Sequence, residues 1–532
     1  MTPRMAIAQI AKAVGRELES KDGPGESALA AAAAALASDC GATETLQGLW
    51  AEANRKRPSD RTLDAYAFML EAALETLRIE ANGGNLSAGR EIEEVRQTLE
   101  QTLANGPVPT GALMLVARAF AQAGLDPGQA LQQAMMGAME AEADDIPPEA
   151  ARTRILSQFD DLAAALDHDP FAIHAELATM GAAFPAEYRA TMATALAMSG
   201  TEAVREAALG FAFSSDAAVS TAAISALAKH AHEAMASNAT IERLVRMRPW
   251  FSAARQADVD AAIRALRAKA APPKASQRPE IRSVAASLCD GAGAQSLFAL
   301  AKRGRRFAMA AVLVKTDAGV ADAWVRDDMN SRAEADALIE EILAQTEAVE
   351  ISIGLFERRL AAALETNVAR DAPPPFGLLQ VAEMLGLGAL YPEPLSPSAI
   401  VDTLLAELPA ERTNPAAEVA AHQVSMTWDE EFSTVDSWFE AGQAVESLLR
   451  PLKTRKRRIE AVLTNLLPGR RSFWAERCAW MAATLKDGAE EGDEAWIDFA
   501  LVARDLAGER PLATIPIASR IAEATVDAFR QR

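Results

Sequence analysis

Aromatic residues and cysteines are scarce in this sequence. Phe, Trp and Tyr make up 5% of the 532 residues, and with the β-branched residues they are too few for an all-β protein. The three cysteines, Cys40, Cys289 and Cys478, lie far apart and cannot form a disulfide scaffold. We expect them to be reduced and buried as small hydrophobic side chains.

Long apolar runs are missing as well. The stretch at residues 28–37 is mostly alanine and falls well short of the ~20 residues that a membrane-spanning helix needs. The N-terminus lacks the apolar segment of about 7–15 residues that is typical of a secretory signal. These features predict a cytoplasmic protein that does not contact membranes.

Basic residues are fewer than acidic residues. The chain has 53 Lys and Arg residues against 74 Asp and Glu residues, which gives a formal net charge of −21. This charge argues against general nucleic-acid binding, because the protein and the phosphate backbone would repel each other. Hydrophobic residues make up 50% of the chain, which is too apolar for a disordered polymer. The composition therefore indicates an acidic, folded protein.

Alanine is abundant, at roughly a fifth of the chain, and favours helices. Apolar residues recur almost everywhere at the three- and four-residue spacing of a helix face. The predicted fold class is all-α, with antiparallel helix pairs stacked as an irregular α-solenoid. Residues 349–355 are the best strand candidate, and they are equally compatible with a helix. A clear helical face is made by Tyr66, Met69, Leu70, Ala73, Leu74 and Leu77.

Proline-rich segments divide the chain into blocks. Residues 271–279 contain three prolines in a short polar run and form the clearest linker. Five of the eight tryptophans fall in the last block, where we expect their rings to form the core. The predicted helical blocks are residues 1–148, 149–271, 280–371 and 398–532.

Two segments in the second block have related patterns. Residues 201–209 and 216–227 place Val204 and Val219 fifteen residues apart, each followed by small side chains. This pattern resembles HEAT-type helical repeats, and the resemblance extends over residues 169–270. It implies pairing of neighbouring helices, identifies no specific family, and carries no function with it.

The sequence has no GxxxxGK[ST] motif for binding nucleotides. Gly291-Ala-Gly-Ala-Gln-Ser296 matches a dinucleotide-binding pattern only in part. It follows residues 288–290, which we interpret as the end of a helix rather than of a strand. We therefore predict a turn between helices, with no cofactor.

Potential metal ligands do not have the spacing that a metal site needs. His230 and His232 would lie about 200° apart on a helix and could not chelate one ion. The acidic pairs lack a third aspartate one helical turn later, as a Mg²⁺-diphosphate motif requires. We predict no metal and assign no catalytic residue. The remaining histidines are His168, His174 and His422, and the acidic pairs are Asp144-Asp145, Asp160-Asp161 and Asp327-Asp328.

Two basic runs interrupt the acidic background. Residues 302–306 lie between two segments that we predict to be apolar helices, and residues 453–458 follow Pro451. The favoured interpretation is a solvated face that neutralises acidic neighbours; the alternative is a binding surface for phosphate, nucleic acid or an acidic partner. The second run is the better candidate, because its like charges repel unless something compensates them. The candidate binding residues are Lys453, Arg455, Lys456, Arg457, Arg458, Arg470 and Arg471.

These observations favour a non-catalytic protein–protein interaction or scaffold protein of the helical-repeat type, with an unidentified protein partner. One alternative is an enzyme whose site is assembled from residues distant in sequence. A pocket that joins the acidic pairs to each other, or to His174 or His422, would favour it. A further alternative is phosphate or nucleic-acid binding through a local basic patch. The sequence does not identify the partner or the oligomeric state.

Overall fold

The computed structural model of the chain describes two compact units. Met1–Ala212 and Asp216–Ala226 form the first unit, and Phe213–Ser215 and Leu227–Arg532 form the second. Cys40, Asp144, Asp145, His232, the stretch at residues 28–37 and most of the 271–279 linker lie outside the described residues. The described residues are 3–18, 41–82, 85–106, 108–143, 148–182, 184–230, 237–268, 279–304, 306–490 and 492–531.

The described residues of the first unit are helical. Short sequence signals set some helix starts: Asp169 accepts a 2.9 Å hydrogen bond from the N–H of Phe171, and Pro170 occupies the first helical position. The helices are α1 (Pro3–Leu18), α2 (Gly41–Ala53), α3 (Asp60–Asn82), α4 (Leu86–Ala104), α5 (Thr110–Gln122), α6 (Gln129–Ala143), α7 (Pro148–Ala165), α8 (Pro170–Gly181), α9 (Ala186–Ala197), α10 (Glu202–Ala207) and α11 (Ala217–His230), whose residues from Leu227 onward belong to the second unit.

The core of the first unit confirms the predicted face of α3. Met69, Leu70 and Leu74 are buried against α2 and α5. Gly48 of α2 allows the close approach of α3, because a Cβ atom at this position would lie 2.5 Å from the ring of Tyr66. An alanine here would therefore displace the ring.

The second unit corrects the all-α prediction, because it contains an antiparallel sheet. The strand order is β4-β3-β2-β1-β5, and residues 280–329, predicted to be helical, form four of the five strands. The candidate at residues 349–355 begins inside β5, and a helix follows from Ile353. The strands are β1 (Glu280–Ser287), β2 (Ala294–Arg303), β3 (Arg306–Lys315), β4 (Gly319–Met329) and β5 (Ala348–Glu350).

Burial on both faces explains why these strands were mistaken for helices. Residues 297–301 of β2 and 309–312 of β3 are buried without interruption. A strand buried on both faces shows no alternation of apolar and polar residues. The many alanines in these strands also favour helix by intrinsic propensity, which the tertiary context overrides.

Helices cover both faces of the sheet. Ala335 and Ile339 of α14 (Arg332–Thr346) pack on the face that carries Phe298 and Leu300. The opposite face contacts α15 (Ile353–Ala369) and α16 (Gly377–Leu385). Two further helices, α12 (Asn238–Met247) and α13 (Ala253–Arg267), precede the sheet in this unit.

The C-terminal part of the second unit is helical and has an aromatic core, as predicted. Trp428 stacks on Phe499 with ring centroids 3.7 Å apart, and Trp438 and Trp474 are buried beside them. In the described parts of the chain, no helix is long and apolar enough to cross a membrane. The helices are α17 (Pro397–Leu405), α18 (Pro415–Val424), α19 (Trp428–Glu431), α20 (Gln443–Leu449), α21 (Arg455–Ala461), α22 (Arg471–Asp487), α23 (Ala495–Ala507) and α24 (Pro516–Gln531).

Candidate functional site

Two arginines of the basic run at residues 453–458 contact α24. Arg455 forms ion pairs with Asp527 at 2.8 Å and with Glu523 at 3.4 Å, and it lowers the pKa of the Asp527 carboxyl. The guanidinium of Arg458 lies 4.9 Å from the ring centre of Phe529. These two side chains therefore fasten α21 to α24.

The other candidate binding residues divide into two groups. Arg470 donates to Glu440 at 2.9 Å, and Arg471 donates to the carbonyl oxygens of residues 505, 506 and 510 near the end of α23. By contrast, Lys453, Lys456 and Arg457 are exposed, and their side chains have no polar partner among the described residues.

The described residues of the basic run at 302–306 belong to a pair of neighbouring strands, which corrects its predicted position between two helices; Arg305 lies outside the described residues. The register of β2 and β3 pairs Arg303 directly with Arg306. Side chains at such paired positions have Cβ atoms about 4.5–5.5 Å apart, and like charges there are destabilising. Within the described residues, neither guanidinium forms an ion pair or a hydrogen bond.

A cavity of about 300 Å³ opens beside this arginine pair. Because side chains alternate along a strand, Arg303 and Arg306 share one face of the sheet with Ala301 and Ala308. That face meets the last turns of α16. The lining is apolar at Ala301, Phe307, Ala308, Val325 and Met384, and polar at Arg303, Arg306, Asp327, Gln380 and Glu383.

The two carboxylates of the cavity differ in their environment. Glu383 is held by Arg243 of α12 in a bidentate ion pair, with Nε–Oε1 and Nη2–Oε2 distances of 2.7 and 2.9 Å. Arg246 lies 3.8 Å from the same carboxylate. Asp327 is exposed and has no ion-pair partner among the described residues. The cavity therefore presents two guanidiniums and one carboxylate that have no ion pair among the described residues.

The acidic pairs and histidines that the structure describes are not gathered at this cavity. Of these described pairs, only Asp327 lines it, while Asp328 pairs with Arg326 at 2.9 Å and Asp160 accepts a hydrogen bond from Thr201. His174 is buried in the first unit, and burial lowers its pKa to about 4. The described residues contain no group of three His, Cys, Asp or Glu side chains able to hold a metal ion.

His422 contacts a carboxylate elsewhere in the second unit. Its Nε2 atom donates to Asp505 at 2.6 Å, joining α18 to α23. Arg510 donates to the same oxygen at 2.6 Å. The contact is not part of the cavity described above.

The glycine loop at residues 291–293 follows a strand. The prediction that it follows a helix and forms a turn between helices is therefore wrong. It connects β1 to β2. The N–H of Gly291 donates to Ser437 Oγ, and the N–H of Ala294 donates to Asp290 Oδ1, both at 2.7 Å. These backbone donors, which a phosphate would need, are already occupied.

The two described cysteines are buried and free, as predicted. Burial raises the pKa of Cys289 to about 11 and also raises the pKa of Cys478. Both are therefore thiols at neutral pH and act as small packing groups.

Comparison with known proteins finds similarity to Y4lR. Residues 185–270 match a family model described as the Y4lR second domain, and residues 398–530 match the Y4lR C-terminal helical domain. The uncharacterized protein y4lR of Sinorhizobium fredii (strain NBRC 101917 / NGR234) is 29% identical over 255 residues, which cover 47% of each chain. No solved structure matches the chain significantly. The cavity at residues 301–384 lies outside both domain matches.

Proposed function

We propose that this protein is a non-catalytic protein–protein interaction or scaffold protein that binds an acidic segment of a partner at the cavity beside the β2–β3 hairpin. The observation that supports the proposal most is the Arg303–Arg306 pair. Two like charges in direct cross-strand register destabilise the free protein, and an anionic partner would relieve their repulsion.

The lining of the cavity also supports binding. Its apolar floor offers area for a partner side chain, and its rim offers guanidiniums, which are enriched at protein interfaces. The volume of about 300 Å³ is at the small end of the range for ligand pockets and suits one or two side chains.

Two further parts of the proposal concern the whole chain. We propose that the helix pairs of the first unit stack as an irregular α-solenoid, HEAT-like from residue 169 onward, which is supported by the packing of α8 and α9 against α10. A cytoplasmic location is supported by the free, buried thiols of Cys289 and Cys478.

The experiment is affinity capture from a native extract at low salt with the full-length protein. The test variant is Arg303→Glu/Arg306→Glu. Lys456→Glu/Arg457→Glu is the matched control, because it makes the same charge change at exposed residues of α21 without polar partners. We expect a stoichiometric protein that is captured by the wild type and the control but lost from the test variant.

Two outcomes would contradict the proposal. Loss of the partner only in the Lys456/Arg457 variant would move the binding surface to α21 and favour the basic-patch alternative. Capture of nucleic acid instead of protein would favour it as well. All four residues are exposed, so we expect both variants to fold like the wild type. Circular dichroism of each variant checks this.

A further inference from the structure

We infer that the Arg303–Arg306 pair binds a single carboxylate attached to a short apolar group, namely an acidic side chain of the partner next to an aliphatic one. The inference rests on the proposed function and specifies the chemistry of its ligand. The competing ligand is a phosphate group, which arginine pairs also bind.

The charges around the cavity favour a monoanion. Arg303 and Arg306 contribute two positive charges, and Asp327 contributes one negative charge without an ion-pair partner in the described chain. Glu383 is shared by Arg243 and Arg246, neither of which lines the cavity. Among the described lining residues that have no ion pair, the positive charges exceed the negative charge by one, which one carboxylate neutralises.

A phosphate ester fits this balance poorly. It carries about −1.5 to −2 charges at neutral pH, so it would add negative charge beside Asp327. Specific sites commonly reject a competitor through such a repulsive group. We therefore assign Asp327 the role of selecting carboxylate over phosphate.

The geometry of the pair suits one carboxylate as well. Side chains in direct cross-strand register lie close enough for each guanidinium to donate to one oxygen of a shared carboxylate. The floor next to them is made by Ala301, Ala308 and Val325, with Met384 of α16 on the opposite side. A carbon chain attached to the carboxylate would be removed from water against these side chains.

The test is calorimetric titration of the full-length protein at low salt with matched probes. Hexanoate and hexyl phosphate share one apolar chain and differ only in the head group. A capped Leu-Glu peptide presents the carboxylate from a protein source. We expect hexanoate and the peptide to bind, and hexyl phosphate to bind more weakly than hexanoate.

Variants separate the roles of the charged residues. Arg303→Gln and Arg306→Gln should each weaken hexanoate binding about 10-fold, the usual effect of losing one hydrogen bond to a charged group. Asp327→Asn should increase the affinity for hexyl phosphate more than the affinity for hexanoate. The preference of the protein for hexanoate should therefore decrease or reverse. A merely structural role of Asp327 would not change this ratio. Lys56→Gln/Arg57→Gln, at exposed residues of the first unit, is the control and should leave both affinities unchanged.

The outcomes distinguish the inference from the proposed function. Tighter binding of hexyl phosphate than of hexanoate by the wild type would overturn the inference, while partner capture that depends on Arg303 and Arg306 would still support the function. Binding of hexanoate without binding of the peptide would support recognition of a carboxylate and overturn the proposal that the carboxylate comes from a protein partner. Binding of none of the probes would overturn the inference.

Discussion

Arg477 in α22 shows how a charged side chain is accommodated in a helical core. Its side chain is buried, and its Nε atom donates to the carbonyl oxygen of Asp290 at 2.7 Å. Nη1 and Nη2 have no hydrogen-bond partner in the described part of the chain. The guanidinium lies 3.5 Å from the ring centre of Phe473 and 4.5 Å from that of Trp474. Burial lowers the pKa of Arg477 to about 10, which is the cost of removing the guanidinium from water.

Replacing this charge with a similar apolar volume should therefore be tolerated. We expect Arg477→Met to keep the free energy of unfolding within about 1 kcal/mol of the wild type, because the lost hydrogen bond is balanced by relief of desolvation. Arg477→Ala, which also leaves a void, should lose about 2–4 kcal/mol. Urea unfolding followed by tryptophan fluorescence measures both values. A loss above about 3 kcal/mol in the Met variant would show that the buried charge stabilises the fold.

At the scale of elements, backbone groups at the start of β4 form hydrogen bonds with a side chain instead of with a neighbouring strand. The N–H of Val320 donates to Asn367 Oδ1 at 2.8 Å. Asn367 Nδ2 in turn donates to the carbonyl oxygens of Ala318, Val320 and Ala372 at 3.0–3.4 Å. Gly319 has φ +73°, and a Cβ atom there would lie 2.4 Å from Asn367 Oδ1. A buried amide of α15 thus replaces the ladder partners that the sheet edge lacks.

Removal of this amide should destabilise the sheet. We expect Asn367→Leu to lower the free energy of unfolding by about 3 kcal/mol, because it leaves several buried backbone groups without partners. Asn367→Asp keeps the acceptor for the Val320 N–H but turns a buried carboxylate oxygen toward the carbonyl oxygens of Ala318, Val320 and Ala372, so it should lose at least as much. Amide hydrogen exchange of Val320 reports the same contact and should accelerate in the Leu variant. Unchanged exchange in both variants would contradict this role.

The elements also show how far the sequence alone could predict this fold. The periodicity of α3, the Asp169-Pro170 start of α8 and the aromatic C-terminal core were predictable, because each depends on local spacing or on composition. β2 and β3 were not, because burial on both faces removes the alternating pattern and their alanines favour helix. The cavity could not be predicted either, since the Arg303–Arg306 pairing exists only once the hairpin register is known.

At the scale of the whole molecule, the net charge of −21 makes the protein's stability sensitive to pH. Asp505 is one carboxyl group with a defined contribution. Burial acts to raise its pKa, but the hydrogen bonds from His422 and Arg510 outweigh burial and lower the pKa below the usual value of 3.8. A carboxyl group with a lowered pKa stabilises the folded state above its unfolded pKa. This contribution is lost as the pH falls through the folded pKa.

We therefore expect Asp505→Asn to make the protein less sensitive to acid. At pH 7 the variant should lose about 2 kcal/mol of unfolding free energy, because the charged hydrogen bonds from His422 and Arg510 disappear. The difference from the wild type should shrink as the pH falls below the usual aspartate value. Urea unfolding at a series of pH values measures this, and comparison of the two proteins removes the general effect of net charge. A constant difference across the series would contradict the linkage.

Composition and local spacing by themselves determined that this chain is acidic, rich in helices and built around an aromatic C-terminal core. These properties follow from residue counts and from contacts within one helix or one turn. Only the tertiary structure decided that strands within residues 280–329 and 348–350 form a sheet, that Arg455 and Arg458 face α24, and that Arg303 and Arg306 lie side by side next to a cavity. The physical reason is that strand pairing, ion pairs and cavities join residues distant in sequence, and neither periodicity nor charge pattern records which of them meet.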